Sequence, residues 1–226
     1  MNYLEKELEK LFVEWEREHK NDILYEYDTP GINGSFIPKE NFIRDGFCVS
    51  ETIKENTVLY ISKESHEYNY DSNLNELKKK EYTYLKDCFS NNKKSIFARR
   101  IKIMQEVLSD ILGNDVNDIS FMNINKRGGF AYTDMSVFNT YAMQFSDNII
   151  REIEIINPKI IVCCGIGLKR IINMLYKKSN KEFDKNIIEV HHPSLVTSDD
   201  KYRNDFIKQL NNQSTVNKNS IIARYN

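Results

Sequence analysis

The N-terminal segment has apolar side chains at helical spacing. They recur every three or four residues with Glu and Lys between them, at Leu4, Leu8, Leu11, Phe12 and Trp15. This period places all five on one side of a helix. The pattern therefore predicts an amphipathic N-terminal helix, within residues 1–20, that docks on a hydrophobic core.

Short apolar runs and longer amphipathic stretches alternate through the rest of the chain. The runs have the length and composition of buried strands, at 58–61, 119–124, 160–164 and 187–190. Helical spacing predicts helices over 75–88, 96–112, 137–156, 167–178 and 199–211. Ser95 can cap the second of these, Gly113 ends it, and Pro158 stops the third. Strands that alternate with helices predict an α/β domain with a mainly parallel sheet.

The organisation predicted is one domain over residues 1–226. Glycine and proline at Pro30, Gly31, Gly34 and Pro38 indicate an ordered connecting loop within 28–48. Polar segments at 62–75 and 126–134 indicate further loops. The polar segment 212–226 is expected to be a flexible tail.

Composition excludes several classes of protein. The chain has 226 residues, 40% of them hydrophobic and 29% charged, and a mean hydropathy of -0.58. No apolar run approaches the roughly 20 residues that span a bilayer, and the charged N-terminus does not resemble a signal peptide. We therefore expect a cytoplasmic protein without membrane contact. The four cysteines form no C-x-x-C pair, so we expect no metal and no cofactor.

Chemistry-bearing residues follow each predicted strand, and the carboxyl ends of parallel strands are where α/β proteins bind ligands. Glu64 and His66 follow the first strand. Asn123 ends the second, before Lys126 and Arg127. Gly165-x-Gly167 follows the third, and the fourth leads into the stretch His191-His192-Pro193-Ser194-Leu195.

Each of these residues also has an ordinary structural explanation. Glu64 can be a solvated ion-pair partner, His192 a structural residue, and Asn123 a side chain that holds the following loop. Gly165-x-Gly167 resembles part of a dinucleotide fingerprint, but Arg170 occupies the third glycine position, which favours a simple tight turn. The basic residues form either a solvated face or phosphate contacts, at Lys93, Lys94, Arg99, Arg100, Lys126 and Arg127.

Taken in order, four segments resemble the uracil-DNA glycosylase superfamily. They are the first strand with its loop at 62–66, the Asn-containing stretch 121–127, the Pro-Lys-apolar-Gly stretch 157–165, and the His-Pro-Ser-Leu loop 192–195. The resemblance covers residues from about 40 to 210. It implies a three-layer α/β/α fold with a short, mainly parallel, four-stranded central sheet.

The first loop departs from the family pattern. Counting from the strand puts Glu64 at the family's Asp or Asn position, Ser65 at its Pro, and His66 at its Tyr or Gly. Because that Tyr excludes a C5 methyl group in strict uracil enzymes, the base preferred here is open.

The resemblance implies a monofunctional DNA glycosylase that flips and excises uracil or a related damaged or modified base. Glu64 would activate water, and His192 would stabilise the departing base. Asn123 would read the base, with Phe89, Phe97 and His66 as further base-contacting candidates. The DNA-binding candidates are Ser194, Leu195, Lys126 and Arg127. The expected partner is DNA, either single-stranded or a duplex with a flipped base, and the expected state is a monomer.

Three alternatives remain open from sequence. A catalytically weakened relative would bind DNA or a nucleobase without releasing the base. A protein-interaction module on the same fold would show no salt-dependent DNA binding. A different α/β enzyme would bind a nucleotide at Gly165-x-Gly167.

Overall fold

The computed structural model describes residues 3–20, 42–45, 47–48, 58–64, 70–71, 76–77, 95–112, 119–127 and 132–213. Six helices lie in these ranges: α1 (Tyr3–Lys20), α2 (Ile96–Leu112), α3 (Met135–Gln144), α4 (Ser146–Ile156), α5 (Leu168–Lys178) and α6 (Asp199–Gln213). The strands are β1 (Phe47–Cys48), β2 (Val58–Glu64), β3 (Tyr70–Asp71), β4 (Glu76–Leu77), β5 (Ile119–Asn125), β6 (Ile160–Cys164) and β7 (Asn186–Val190).

The central sheet has the order β1-β5-β2-β6-β7. Its four long strands are parallel, and the two-residue β1 pairs antiparallel with β5 at the edge. β3 and β4 form a separate antiparallel pair. The mainly parallel four-stranded sheet predicted from sequence is therefore confirmed, with β1 added in the stretch expected to be a loop.

Helices cover both faces of the sheet, which confirms the three-layer α/β/α class. Strand side chains alternate between the faces. Leu59 and Ile61 of β2 lie in a core with α1, α3, α4 and α5. Val58 and Tyr60 lie in a second core with α2 and α6. Since β2, β5 and β6 each have buried side chains on both faces, their sequences are mainly apolar.

Three predicted boundaries are wrong or shifted. β2 continues three residues past Ile61 because Ser62 and Glu64 stay in register with Asn123 and Asn125 of β5. A helix beginning at residue 75 is wrong, since Glu76–Leu77 is a strand; residues 78–88 lie outside the described ranges. α6 runs to Gln213, two residues into the expected tail.

The long helix expected over 137–156 is two helices that meet at Phe145. α3 begins early because the Asp134 carboxylate accepts hydrogen bonds from Ser136 N (2.8 Å) and Val137 N (3.2 Å). At Phe145 the chain turns, and its buried ring packs 4.7 Å from that of Tyr141. Trp15 and His19 of α1 complete this aromatic cluster. The two rings from α1 are more than 120 residues from Tyr141 and Phe145 in sequence, so local periodicity does not reveal the break.

The loop after β6 is a tight strand-to-helix turn, as the weak glycine fingerprint suggested. Gly167 has φ +94°, a conformation that favours glycine, and it occupies the N-cap of α5. Glycine has no side chain to cap the helix, and Glu189 of β7 does so instead. Its Oε1 accepts from Gly167 N and Lys169 N, both at 2.9 Å.

Replacing Glu189 by alanine is expected to destabilise the protein by about 1 kcal/mol, the usual value of a helix N-cap. Glu189→Gln keeps an acceptor oxygen and should retain most of the stability. Urea denaturation of the two variants tests this expectation. Equal stability of Glu189→Ala and the wild type would contradict the capping role.

Candidate functional site

The candidate site lies at the carboxyl ends of the parallel strands, on the sheet face covered by α2 and α6. Ser62 and Glu64 project to that face because Tyr60, two and four residues earlier, lies in its core. Asn123 and Asn125 of β5 project to the same face as Phe121. The parallel register sets Ser62 beside Asn123 and Glu64 beside Asn125.

Glu64 is half-buried at the last position of β2, and its Oε2 atom is buried. It therefore lies on a strand, whereas the family pattern predicted a loop residue. β2 is also at the point where chain connections diverge, since β5 follows it on one side and β6 and β7 lie on the other. Such switch points form the ligand-binding crevice in open α/β sheets.

Asn123 is 3% exposed, and its position is fixed by Asp45, which sequence reasoning missed. The Asp45 carboxylate accepts a 2.7 Å hydrogen bond from the Asn123 backbone N–H. Burial raises the pKa of Asp45, and the nearby Lys126 and the hydrogen bond from Asn123 oppose that rise. Asp45 lies 78 residues before Asn123 in the chain, and no sequence motif links the two.

His192 is exposed in the loop that follows β7. Its Nδ1 accepts a 3.2 Å hydrogen bond from the Ser194 backbone N–H. Because a neutral imidazole has one donor and one acceptor nitrogen, this contact assigns the proton to Nε2. His192 thus presents an N–H donor away from its own loop. Phe97 of α2 lies beside it, with ring centroids 5.7 Å apart, and also contacts Phe121 at 5.5 Å.

The His-Pro-Ser-Leu loop is held from below by α2 and α6. Arg100 of α2 is 1% exposed. Its guanidinium donates to three main-chain oxygens of the loop: Pro193 O (2.7 Å), Leu195 O and Thr197 O (2.6 Å). Tyr202 of α6 donates to His191 O at 2.9 Å, and its ring lies under Arg100.

Two side chains at the tip of this loop are apolar and exposed. Leu195 is 44% exposed and Val196 is fully exposed. Ser194 is exposed as well, but its N–H is used by His192, and Leu195 N donates to His192 O at 2.9 Å. Ser194 and Leu195, the DNA-binding candidates of this loop, do not begin a helix, because α6 begins only at Asp199, with two aspartates in its first turn.

The expectation that Lys126 and Arg127 lie at the surface and contact DNA is wrong, because both residues are buried. They are 0% and 1% exposed. Lys126 Nζ pairs with Asp45 and lies 2.7 Å from Glu152 of α4, in a cluster against the rings of Phe12 and Trp15. Arg127 follows a turn in which Asn125 Oδ1 accepts its backbone N–H at 3.0 Å. Neither side chain is presented to a DNA phosphate.

Of the other four basic residues considered as phosphate contacts, two form ion pairs within the protein and two lie outside the described residues. Arg99 and Arg100 both hydrogen-bond Asp199, and the bond from Arg99 lowers the pKa of that carboxyl group. Lys93 and Lys94 lie outside the described residues, as do two of the base-contacting candidates, Phe89 and His66. Among the site candidates within the described residues, Phe97 and His192 are in contact, and Glu64 and Asn123 lie on adjacent strands.

The adjacent cysteines at the end of β6 are core residues. Cys163 and Cys164 are buried thiols on opposite faces of the sheet. Burial raises the pKa of both thiols, so the nucleophilic thiolate is disfavoured. In the described part of the chain, no group of three His, Cys, Asp or Glu side chains is arranged to hold a metal ion.

No protein-family model matches this chain, and no curated protein is significantly similar to it. No helix in the described ranges is long and apolar enough to cross a membrane.

The buried pair of carboxylates around Lys126 predicts a pH-dependent stability. Burial raises the pKa of Glu152 from 4.5 to about 8, against the opposing effect of Lys126. The folded state then keeps a proton that the unfolded chain releases. Stability from this group is complete below pH 4.5 and is lost as the pH rises to about 8.

Glu152→Gln should remove this slope. The free energy of unfolding of the variant, relative to that of the wild type, is expected to be higher at about pH 8.5 than at about pH 5. Urea denaturation of both proteins at the two pH values measures this change. Glu154→Gln is the matched control, because Glu154 is an exposed residue of the same helix. A wild-type and Glu152→Gln difference that is constant with pH would contradict the prediction.

Proposed function

We propose that the protein is a DNA glycosylase that hydrolyses the N-glycosidic bond of uracil or a related base. The observation that carries the proposal is the geometry at one sheet edge. A carboxylate, a buried amide and an imidazole N–H donor lie at the carboxyl ends of β2, β5 and β7. These are the three groups that base excision requires, in the order along the chain that the sequence resemblance implies.

In the proposed reaction, the bond between C1′ and the base nitrogen breaks and its electron pair leaves on the base. The His192 Nε2–H donates to the oxygen where this charge develops. Water adds its oxygen to C1′ and gives up a proton to Glu64. That proton ends on the departing base, so the products are a neutral base and an abasic sugar.

Asn123 would read the base through its amide, which can donate and accept at once. Asp45 supports this role because it fixes the strand position of Asn123 through the backbone N–H. Phe97 lies beside His192 and would offer an aromatic surface to a flipped base. Leu195 and Val196, exposed on the same loop, would fill the space that the base leaves in the duplex.

Base release from defined DNA tests the proposal. A single strand and a duplex, each with one uracil and an end label, are incubated with the protein and then heated in alkali. We expect cleavage at the uracil only. If the protein releases no uracil, the test is repeated with DNA that contains other deaminated or modified bases. No cleavage with any base by folded protein would reject the enzyme.

A second candidate is a binding relative without catalysis, and the position of Glu64 favours it. Glu64 is the last residue of β2, in register with Asn125, rather than in a loop. This candidate predicts binding to uracil-containing or abasic DNA with no base release. Arg99, Arg100, Lys126 and Arg127 are all engaged within the protein. A salt titration of binding would count the phosphate contacts that remain.

The nucleotide-binding alternative has less support. A phosphate at Gly165-x-Gly167 would need the N-terminus of α5. The Glu189 carboxylate occupies that position and accepts from Gly167 N and Lys169 N. The phosphate of a nucleotide would have to displace the Glu189 carboxylate from these two N–H groups.

A further inference from the structure

We propose that Arg100 is a positioning residue that fixes His192 by holding the main chain of the 191–197 loop. This inference rests on the proposed function for its catalytic meaning. Its structural part stands independently, because it concerns a loop conformation that is measured without substrate. Sequence reasoning had placed Arg100 only in a run of basic residues.

The first observation is that both terminal nitrogens of one guanidinium bind main-chain oxygens of the same loop. Nη1 of Arg100 donates to Pro193 O at 2.7 Å and to Leu195 O, and Nη2 donates to Thr197 O at 2.6 Å. Nε lies 3.4 Å from Asp199 Oδ1. A planar guanidinium presents five donors in a fixed fork, so it sets the relative positions of the carbonyls it binds.

The second observation is burial. Arg100 is 1% exposed, while Asp199 is about one-third exposed. A buried charge is tolerated when hydrogen bonds replace its hydration. Here main-chain carbonyls supply most of that replacement. The loop has no regular secondary structure, so the guanidinium stabilises its conformation. In turn, the loop carbonyls stabilise the buried charge, because Asp199 is the only carboxylate that pairs with Arg100 among the described residues.

The third observation is that the same helical turn contacts the imidazole. Phe97 precedes Arg100 by three residues on α2, and its ring lies 5.7 Å from that of His192. Tyr202 of α6, whose ring lies against Arg100, donates to His191 O. The backbone on both sides of His192 is thus held, which keeps Ser194 N within 3.2 Å of His192 Nδ1. That contact is what leaves the proton on Nε2.

Arg100→Lys tests this chain of contacts. Lysine keeps the charge, but a single ammonium cannot span three carbonyls. We expect the Ser194 and Leu195 amides to exchange with solvent about tenfold faster or more, since the hydrogen bonds of a charged donor are lost. Arg170→Lys is the matched control, because Arg170 is exposed on α5, and it should leave these amides unchanged.

The imidazole gives a second readout. The chain has only four histidines, so ¹⁵N-histidine labelling with a His192→Ala reference spectrum assigns the His192 signals. We expect one tautomer, with the proton on Nε2, in the wild type, and a mixture in Arg100→Lys. Tyr202→Phe removes the second anchor and provides the same two readouts if Arg100→Lys fails to fold.

Unchanged amide exchange and an unchanged tautomer in the folded variants would overturn the proposal. If the wild type releases a base, Arg100→Lys should lower kcat, and the loss should disappear in a His192→Ala background, as expected of residues that act as one unit. Additive losses would overturn the positioning role. A wild type without base release rejects the proposed function, and the exchange and tautomer measurements still decide whether Arg100 fixes the loop.

Discussion

Replacing Glu64 by glutamine is expected to slow base release by about 10²–10⁴-fold, the usual contribution of a general base. Glutamine matches the size of the half-buried side chain but cannot accept the proton from water. The fold should be unaffected, because β2 is held by its pairing with β5 and β6. Single-turnover release of uracil from a labelled strand measures the effect.

His192→Ala is expected to slow the same step by about 10²–10³-fold, since it removes a donor to the developing negative charge. Two control variants accompany the pair. Glu106→Gln changes an exposed carboxylate on α2 that pairs with Arg203. His191→Ala changes the neighbouring exposed histidine and leaves intact the backbone oxygen that Tyr202 binds. Both controls should keep wild-type rates, and full activity of Glu64→Gln and His192→Ala would refute the catalytic assignment.

The two variants also separate catalysis from binding. A residue that acts only in the transition state lowers kcat without weakening substrate binding. We therefore expect both variants to bind uracil-containing DNA as the wild type does. If the protein is instead a binder, Glu64→Gln changes no turnover, and a change in affinity becomes its only consequence.

Most of the framework could be predicted from sequence because its signals are local. Buried parallel strands are continuous apolar runs, so β6 was placed to the residue. α2 was predicted with its observed bounds, from helical spacing between Ser95 and Gly113. The order of strands also brought Glu64, Asn123 and His192 to the same edge of the sheet, since all parallel strands end on one side.

What the sequence did not reveal depends on partners far along the chain. Lys126 follows a strand and looked like a surface cation, but Asp45 and Glu152 bury it. Phe145 interrupts a continuous helical pattern because its ring packs against α1. Arg100 belongs to a run of basic residues in the sequence, but its guanidinium binds loop carbonyls almost 100 residues further along the chain. The pattern of residues along the chain does not show which of these long-range contacts form, because their energies depend on burial in the folded structure.

Lys126→Met is expected to cost about 3–5 kcal/mol of stability, the largest effect of any single change considered, because it leaves a buried charge without its partner. Methionine matches the length and apolar stem of lysine, so packing against Phe12 and Trp15 is largely kept. The loss would come mainly from Asp45, which is 1% exposed and loses its cation, since Glu152 keeps a proton below about pH 8. Urea denaturation with a linear extrapolation measures it.

Lys181→Met is the matched control, since its pair with Glu154 is exposed on both sides and such pairs contribute at most about 1 kcal/mol. Combining Lys126→Met with Asp45→Asn and Glu152→Gln should recover much of the loss, because no buried charge remains. A cost for Lys126→Met no larger than that of the control would show that the cluster contributes little to folding. The same cluster holds the backbone of Asn123 through Asp45. Even where the triple variant is stable, we therefore expect weaker base recognition, which would connect the buried ion cluster to the candidate site.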